Sequence, residues 1–322
     1  MVLKSRSMPF NAQRLAAHTR IALVLIWLTP MLWTVNQISA RIAPGVVAPH
    51  VLALGRWTLA GLILTVLARQ ELWRMRQWVL TTWYQSVILG ACGMWICGAW
   101  VYIAGQSTSA MNISLIYASS PIMIAVGSVL WLGETFSKRQ ILGVVVALLG
   151  VAHVVVRGDW SHLTQVQLVA GDLWILAAAI ALAAYALLQK KWHSPLSATA
   201  RLATICMGGV ALLLPFAVWE LASADTPPLS QAALGLIGLT ALVPGLGAYW
   251  IYGWTQKILG TSRVAVTLYL GPLYAGLAAW LLLDEPMGWH HLVGGALILS
   301  GVGLVMAFKP QSASLVPIRD PG

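Results

Sequence analysis

Two short stretches of the chain repeat the same side chains able to stack and hydrogen-bond. Trp100, Tyr102 and Gln106 recur as Trp250, Tyr252 and Gln256, while Trp33 and Gln37 are echoed by Tyr185 and Gln189, with Asn36 adding a further amide. On a helix Trp95, Tyr102 and Gln106 fall on one stripe, as do Tyr249, Tyr252 and Gln256. Amides bind the polar ends of a small zwitterion without adding charge, and aromatic rings stack on its side chain or attract its ammonium group. Tyr117 approaches a proline at 121, Tyr269 and Tyr274 flank one at 272, and Arg56 stands inside a long apolar run. A lone guanidinium there would attract a carboxylate. Competing readings stay open: Trp and Tyr near helix ends belong to interfacial belts, Gln189 beside Lys190 is a solvated helix end, and Arg56 snorkels to the surface.

Other chemistry is harder to build from these residues. Glu134 and His153 are the candidates for coupling to protons, against readings as a solvated helix end and a hydrogen-bonded structural histidine. Asp284, Glu285, His290 and His291 come nearest to a metal cluster, but adjacent histidines point to different helix faces, so no metal or other cofactor is expected. Cys92, Cys97 and Cys206 all lie in apolar runs and read as small core residues. No intramembrane nucleophile and base, no paired carboxylates and no phosphate-binding loop stand out, so the chain is not expected to be an enzyme or a self-contained ATP-driven pump. A channel would more naturally show rings of charge or a carbonyl-presenting filter.

The elements that must position these groups follow from composition. Of 322 residues 59% are hydrophobic and 9% charged, and the mean hydropathy is +0.80. These values point to an all-α integral membrane protein. The net charge of +10 does not suggest nucleic acid, because the basic residues sit in short loops between apolar segments. At roughly 20 apolar residues per span, ten transmembrane helices are expected, near 21–40, 47–68, 83–104, 108–132, 140–156, 171–189, 198–219, 232–255, 264–283 and 291–308. With that count sixteen of nineteen Lys and Arg fall on one side, which the positive-inside rule makes cytoplasmic, together with both termini. The chain divides into a basic N-terminal region (1–20), a first five-helix half (21–156), an external linker (157–170), a second half (171–308) and a cytoplasmic tail (309–322).

The two halves share a signature. Pro121, Glu134, Gly143 and Gly150 recur as Pro272, Glu285, Gly294 and Gly301 with identical spacings of thirteen, nine and seven residues. Proline inside a membrane helix kinks it and frees carbonyls, tolerated only where protein or a cavity satisfies them. Glycines seven apart return to nearly one helix face and make a stripe that another helix can approach closely. Five helices per copy is odd, so the copies enter the membrane from opposite sides as inverted repeats, the arrangement that supports alternating access around a central site.

Ten helices, cytoplasmic termini and a proline, acidic-turn, glycine, glycine signature in each half resemble the EamA family of the drug/metabolite transporter superfamily. The resemblance covers about residues 21–308, and the second copy departs from the usual pattern at Asp284 and Pro286. It implies a secondary carrier, commonly an exporter of amino acids or other small metabolites across the bacterial inner membrane. Proton-coupled efflux of drugs or other metabolites is the alternative.

Overall fold

The computed structural model describes residues 10–108, 113, 116–117, 119–133, 135–156, 158–161, 169–224, 226–283 and 288–306. Among them all regular structure is helical. The helices are α1 (Phe10–Ile42), α2 (Pro49–Arg74), α3 (Arg76–Thr81), α4 (Trp83–Ala104), α5 (Ser120–Leu132) and α6 (Lys138–Val155). They continue with α7 (Ala170–Lys191), α8 (Ala198–Leu221), α9 (Gln231–Leu259), α10 (Thr261–Val266), α11 (Gly271–Leu283) and α12 (Trp289–Met306). Six are long and apolar enough to cross a membrane: α1 from His18, α2, α4, α7, α8 and α9. This is a multi-pass membrane protein, with leucines such as Leu67 and Leu130 left 70% and 80% exposed where lipid would cover them.

Helix ends follow local chemistry. Pro49 opens α2 at a position that needs no N–H, and the Glu220 carboxylate accepts the backbone N–H of His50 and Val51 at 2.8 and 3.0 Å. Ser197 and Ser230 cap α8 and α9 by accepting the N–H groups of Ala200 and Ala233. Asp172 folds back onto the N–H of Val169 to start α7. Gly133, at φ +67°, ends α5 in the left-handed conformation that favours glycine.

The ends that carry most of the basic residues meet. Glu71 at the end of α2 accepts Ser197 before α8, Lys191 lies over the Trp131 ring at the end of α5, and Lys257 of α9 donates to Leu196 O. At the opposite end His50 pairs with Glu220, Arg41 donates to Gly105 O and Thr108 O, and Thr108 donates to Asp172.

The two glycine stripes pack on one another. A Cβ on Gly143 would lie 2.7 Å from Gly301 O, and one on Gly150 2.7 Å from Gly294 O. Low residue numbers thus face high ones, so α6 and α12 run antiparallel with backbones in contact.

α4 and α9 each contain one wide turn of π-helix, over Ala91–Ile96 and Ala241–Ala248. These turns occupy corresponding places in the two stretches that repeat Trp, Tyr and Gln. Such turns open the backbone ladder and occur mostly at functional sites. The residues that follow them, Cys97 and Tyr249, line a cavity between helices of both halves.

Candidate functional site

Arg56 is the centre of the site. It is 1% exposed, so it does not reach out to solvent. Its Nη1 donates to Asn36 Oδ1 at 2.6 Å and to the Tyr102 hydroxyl at 2.9 Å, and Tyr102 itself donates to Asn36 Oδ1 at 2.7 Å. Helices α1, α2 and α4 thereby each supply one corner of a polar triangle. The guanidinium carbon lies 4.4 Å from the ring centre of Trp57. No carboxylate among the described residues lies within ion-pair distance of Arg56; the ion pair seen is His50 with Glu220, at one end of the bundle. Arg56 Nε has no partner at all. A buried cation held only by neutral groups is costly to maintain, which makes it a candidate for an anion brought by a ligand.

Arg56 lines a cavity of about 70 Å³, several times what one water needs. The first half supplies Trp33, Asn36 and Gln37 from α1, Cys97 from α4, and Tyr117. The second half supplies Leu182, Tyr249, Leu268 and Gly271. Pro30, inside α1, also lines it. The aromatic wall is ordered by ring contacts: Trp33 meets Tyr249 edge-on at 5.5 Å and Tyr252 at a tilt at 5.2 Å, and Tyr249 meets Trp57 at 5.0 Å and Tyr185 at 5.8 Å, both edge-on.

The wide turns shape this wall. Tyr249 follows the π turn of α9, and its hydroxyl donates to Gly93 O, inside the π turn of α4, at 3.0 Å. Cys97 follows the π turn of α4, its Sγ 3.6 Å from the Tyr117 hydroxyl and 3.8 Å from that of Tyr249. Gly245, in the other turn, leaves room for the Arg56 side chain, since a Cβ there would come within 3.3 Å of Arg56 Nε. The glycines and proline of these segments, Gly90, Gly93, Pro244 and Gly245, are the sequence signal for them. Cys97, which reads as core in the sequence, is buried and also faces the cavity.

Of the other candidates, Tyr252 is buried against Trp33, its hydroxyl without a partner. Tyr185 stands beside Tyr249 towards the basic end, where Gln189 and Gln256 also lie. Trp95 faces elsewhere, stacked on Phe216 at 4.7 Å. Gln106 lies past the end of α4, exposed, in a surface cleft with Glu220. Tyr269 is buried and Tyr274 half-buried in a separate apolar cluster around α12. Pro121 sits in the first turn of α5, after Ser119 has donated to Ile116 O at 2.6 Å, and Pro272 in the first turn of α11. His153 is buried between Trp160 and Trp289, at 6.0 and 5.2 Å. Glu134, with Asp284 and Glu285, lies outside the described residues. Among the described residues no three His, Cys, Asp or Glu side chains group as metal ligands.

Comparison with known proteins agrees with this architecture. The chain matches the EamA-like transporter family over residues 20–156 and again over 169–307. The transporter YvbV of Bacillus subtilis is 26% identical over 310 residues, covering 94% of this chain and 97% of that one. YetK of the same organism is 25% identical over 208 residues; the match spans 64% of this chain and 62% of YetK, under two thirds of its length. A protein of Streptantibioticus cattleyicolor named as a probable terminal-alkyne amino-acid exporter is 27% identical over 60% of this chain and 62% of its own. A crystal structure with 19% identity and a TM-score of 0.67, covering 89% of this chain and 97% of that one, shares the fold. The chain belongs to the EamA-like transporter family.

Proposed function

We propose that this EamA-like transporter is a secondary carrier that exports amino acids or similar small metabolites bearing a carboxylate. In this reading ten helices form two inverted five-helix repeats in the bacterial inner membrane, both termini are cytoplasmic, and the repeats rock about the Arg56 cavity. The observation that carries the reading is Arg56 itself, a buried guanidinium without a counterion among the described residues, facing a cavity walled by residues from both halves. A carboxylate would complete its charge pairing, and Trp33, Tyr117 and Tyr249 would stack on an apolar or aromatic side chain. An isolated cation at this point repels cationic drugs. The Streptantibioticus relative named as an amino-acid exporter supports the same substrate class.

The test is counterflow in proteoliposomes, preloaded with one unlabelled amino acid at a time and given its labelled form without an ion gradient. A subset of amino acids should show overshoot, and Arg56→Met should lower that exchange about 10- to 100-fold, the loss of one charge-assisted contact of about 1.5–3 kcal/mol. The Tyr102 to Asn36 bond survives that substitution, so the variant should still insert and purify. No overshoot for any amino acid, or full exchange by Arg56→Met, would overturn the reading.

A further inference from the structure

A second cavity opens at the basic end of the bundle, where the C-termini of α7 and α9 meet the start of α8. It has a volume of about 300 Å³, and its lining includes Gln189, Lys190, His193, Arg201, Gln256 and Lys257, with no carboxylate among the described residues. Arg201 is 8% exposed; its Nη2 donates to Gln189 O at 2.8 Å and Trp192 O at 2.7 Å. Lys257 Nζ donates to Leu196 O at 2.6 Å. Both cations are therefore fixed in place by carbonyls that do not cancel their charge. Among the described residues the carboxylate near enough to act on Lys257 is Glu71, which is itself taken by the backbone N–H and hydroxyl of Ser197.

Two observations point beyond a basic helix end. Gln189 and Gln256 are 9% and 8% exposed, and the amide nitrogen of each is buried without a hydrogen-bond partner. Buried donors of this kind normally find acceptors. A ligand with acceptor oxygens would satisfy them and the cations together. The second observation is continuity. A void of about 10 Å³ shares Gln189, Arg201, Gly253 and Lys257 with this cavity and shares Tyr249 with the Arg56 cavity. That volume is at or below what one water needs, so the neck between Tyr185 and Tyr249 is closed in this conformation.

We propose that this basic vestibule is a second anion site, which takes the carboxylate of a solute that then passes the Tyr185 and Tyr249 neck to Arg56. The identity of the anion rests on the carrier reading; the site's preference for anions does not. Stepwise capture of a charged group by spaced cations lowers the barrier that a single deep site would leave.

Gly253 offers a direct probe, because a Cβ built there meets nothing within 4 Å. The Gly253→Cys protein, full length in phosphatidylcholine nanodiscs, is reacted with a sulfonate-bearing and a trimethylammonium-bearing methanethiosulfonate, and mass spectrometry locates the adducts so that Cys92, Cys97 and Cys206 do not confuse the reading. The ratio of the two rates, normalised to a small thiol in solution, should favour the anionic reagent about 10-fold, because focused site potentials reach several kT. Lys190→Gln with Lys257→Gln, which leaves Arg201 in place, should lower the ratio clearly below that of the Gly253→Cys protein alone, and phenylacetate should slow the modification at 253. A normalised ratio at or below one overturns the proposal. So does protection only in phosphatidylglycerol discs with none by phenylacetate, which would assign the site to a lipid headgroup. Counterflow is read separately: exchange with a flat ratio keeps the carrier and removes the vestibule, whereas a raised ratio without exchange of any carboxylate keeps an anion site and removes its link to transport.

Discussion

Arg56 holds its place through two neutral partners that lie 20 and 46 residues away in the chain. An intramembrane charge is legible in sequence, and Asn36 and Tyr102 are legible as polar groups on apolar helices. Their convergence is not, because it depends on how α1, α2 and α4 pack. The triangle makes distinct predictions for its corners. Tyr102→Phe removes the hydroxyl that bridges Arg56 and Asn36 but leaves the bond between those two. It should raise the half-saturating substrate concentration in counterflow about 5- to 10-fold, at about 1–1.5 kcal/mol for one hydrogen bond, with little change in maximal rate. Arg56→Lys keeps the charge but loses the planar guanidinium that could meet a carboxylate with two parallel N–H bonds. Its exchange should fall between wild type and Arg56→Met; exchange equal to wild type would mean that charge alone matters.

Helix elements show where reading by period succeeds and where it fails. The glycine stripes at 143/150 and 294/301 are legible because a seven-residue step keeps one face, and α6 and α12 do meet along them. A Cβ at Gly301 would lie 2.5 Å from both Gly143 O and Ala147 N, whereas one at Gly303 meets nothing within 4 Å. Gly301→Leu should therefore force the helices apart and cost about 1–3 kcal/mol, seen as a lower Tm and aggregation on size exclusion, while Gly303→Ala should leave the Tm unchanged. The stripe of Trp95, Tyr102 and Gln106 assumes a regular helix. A π turn inserts one residue and rotates all later side chains of the helix by about 100°. Trp95 lies within that turn and faces Phe216, while Tyr102 lies beyond it and faces Arg56. Gln106 comes after the last residue of α4, where the helix no longer fixes its direction. Tyr249, Tyr252 and Gln256 all lie beyond the π turn of α9, and all three are buried.

At the scale of the whole molecule, membrane class and helical content are legible in composition alone, since 59% hydrophobic residues leave few alternatives. The orientation of the chain rests on loop charge and is open to direct attack: cysteines placed at Ser137 and Asp159, both exposed, should label from opposite sides of the membrane. Labelling from the same side would break the inverted-repeat arrangement. Coupling depends on where the carboxylates sit. The described buried one, Asp172, caps α7 and is bonded to Thr108 away from Arg56, so transport should proceed at a rate independent of an imposed pH gradient. Strict dependence on the gradient would instead favour the proton-coupled carrier. The central claim is that the cavity recognises a carboxylate through Arg56. Competition in proteoliposome counterflow tests it most directly, comparing an exchanged amino acid with its α-amide as the unlabelled competitor. The acid should compete and the amide fail to, with the difference abolished in Arg56→Met; equal competition by acid and amide in the wild-type protein would rule out recognition of the carboxylate by Arg56.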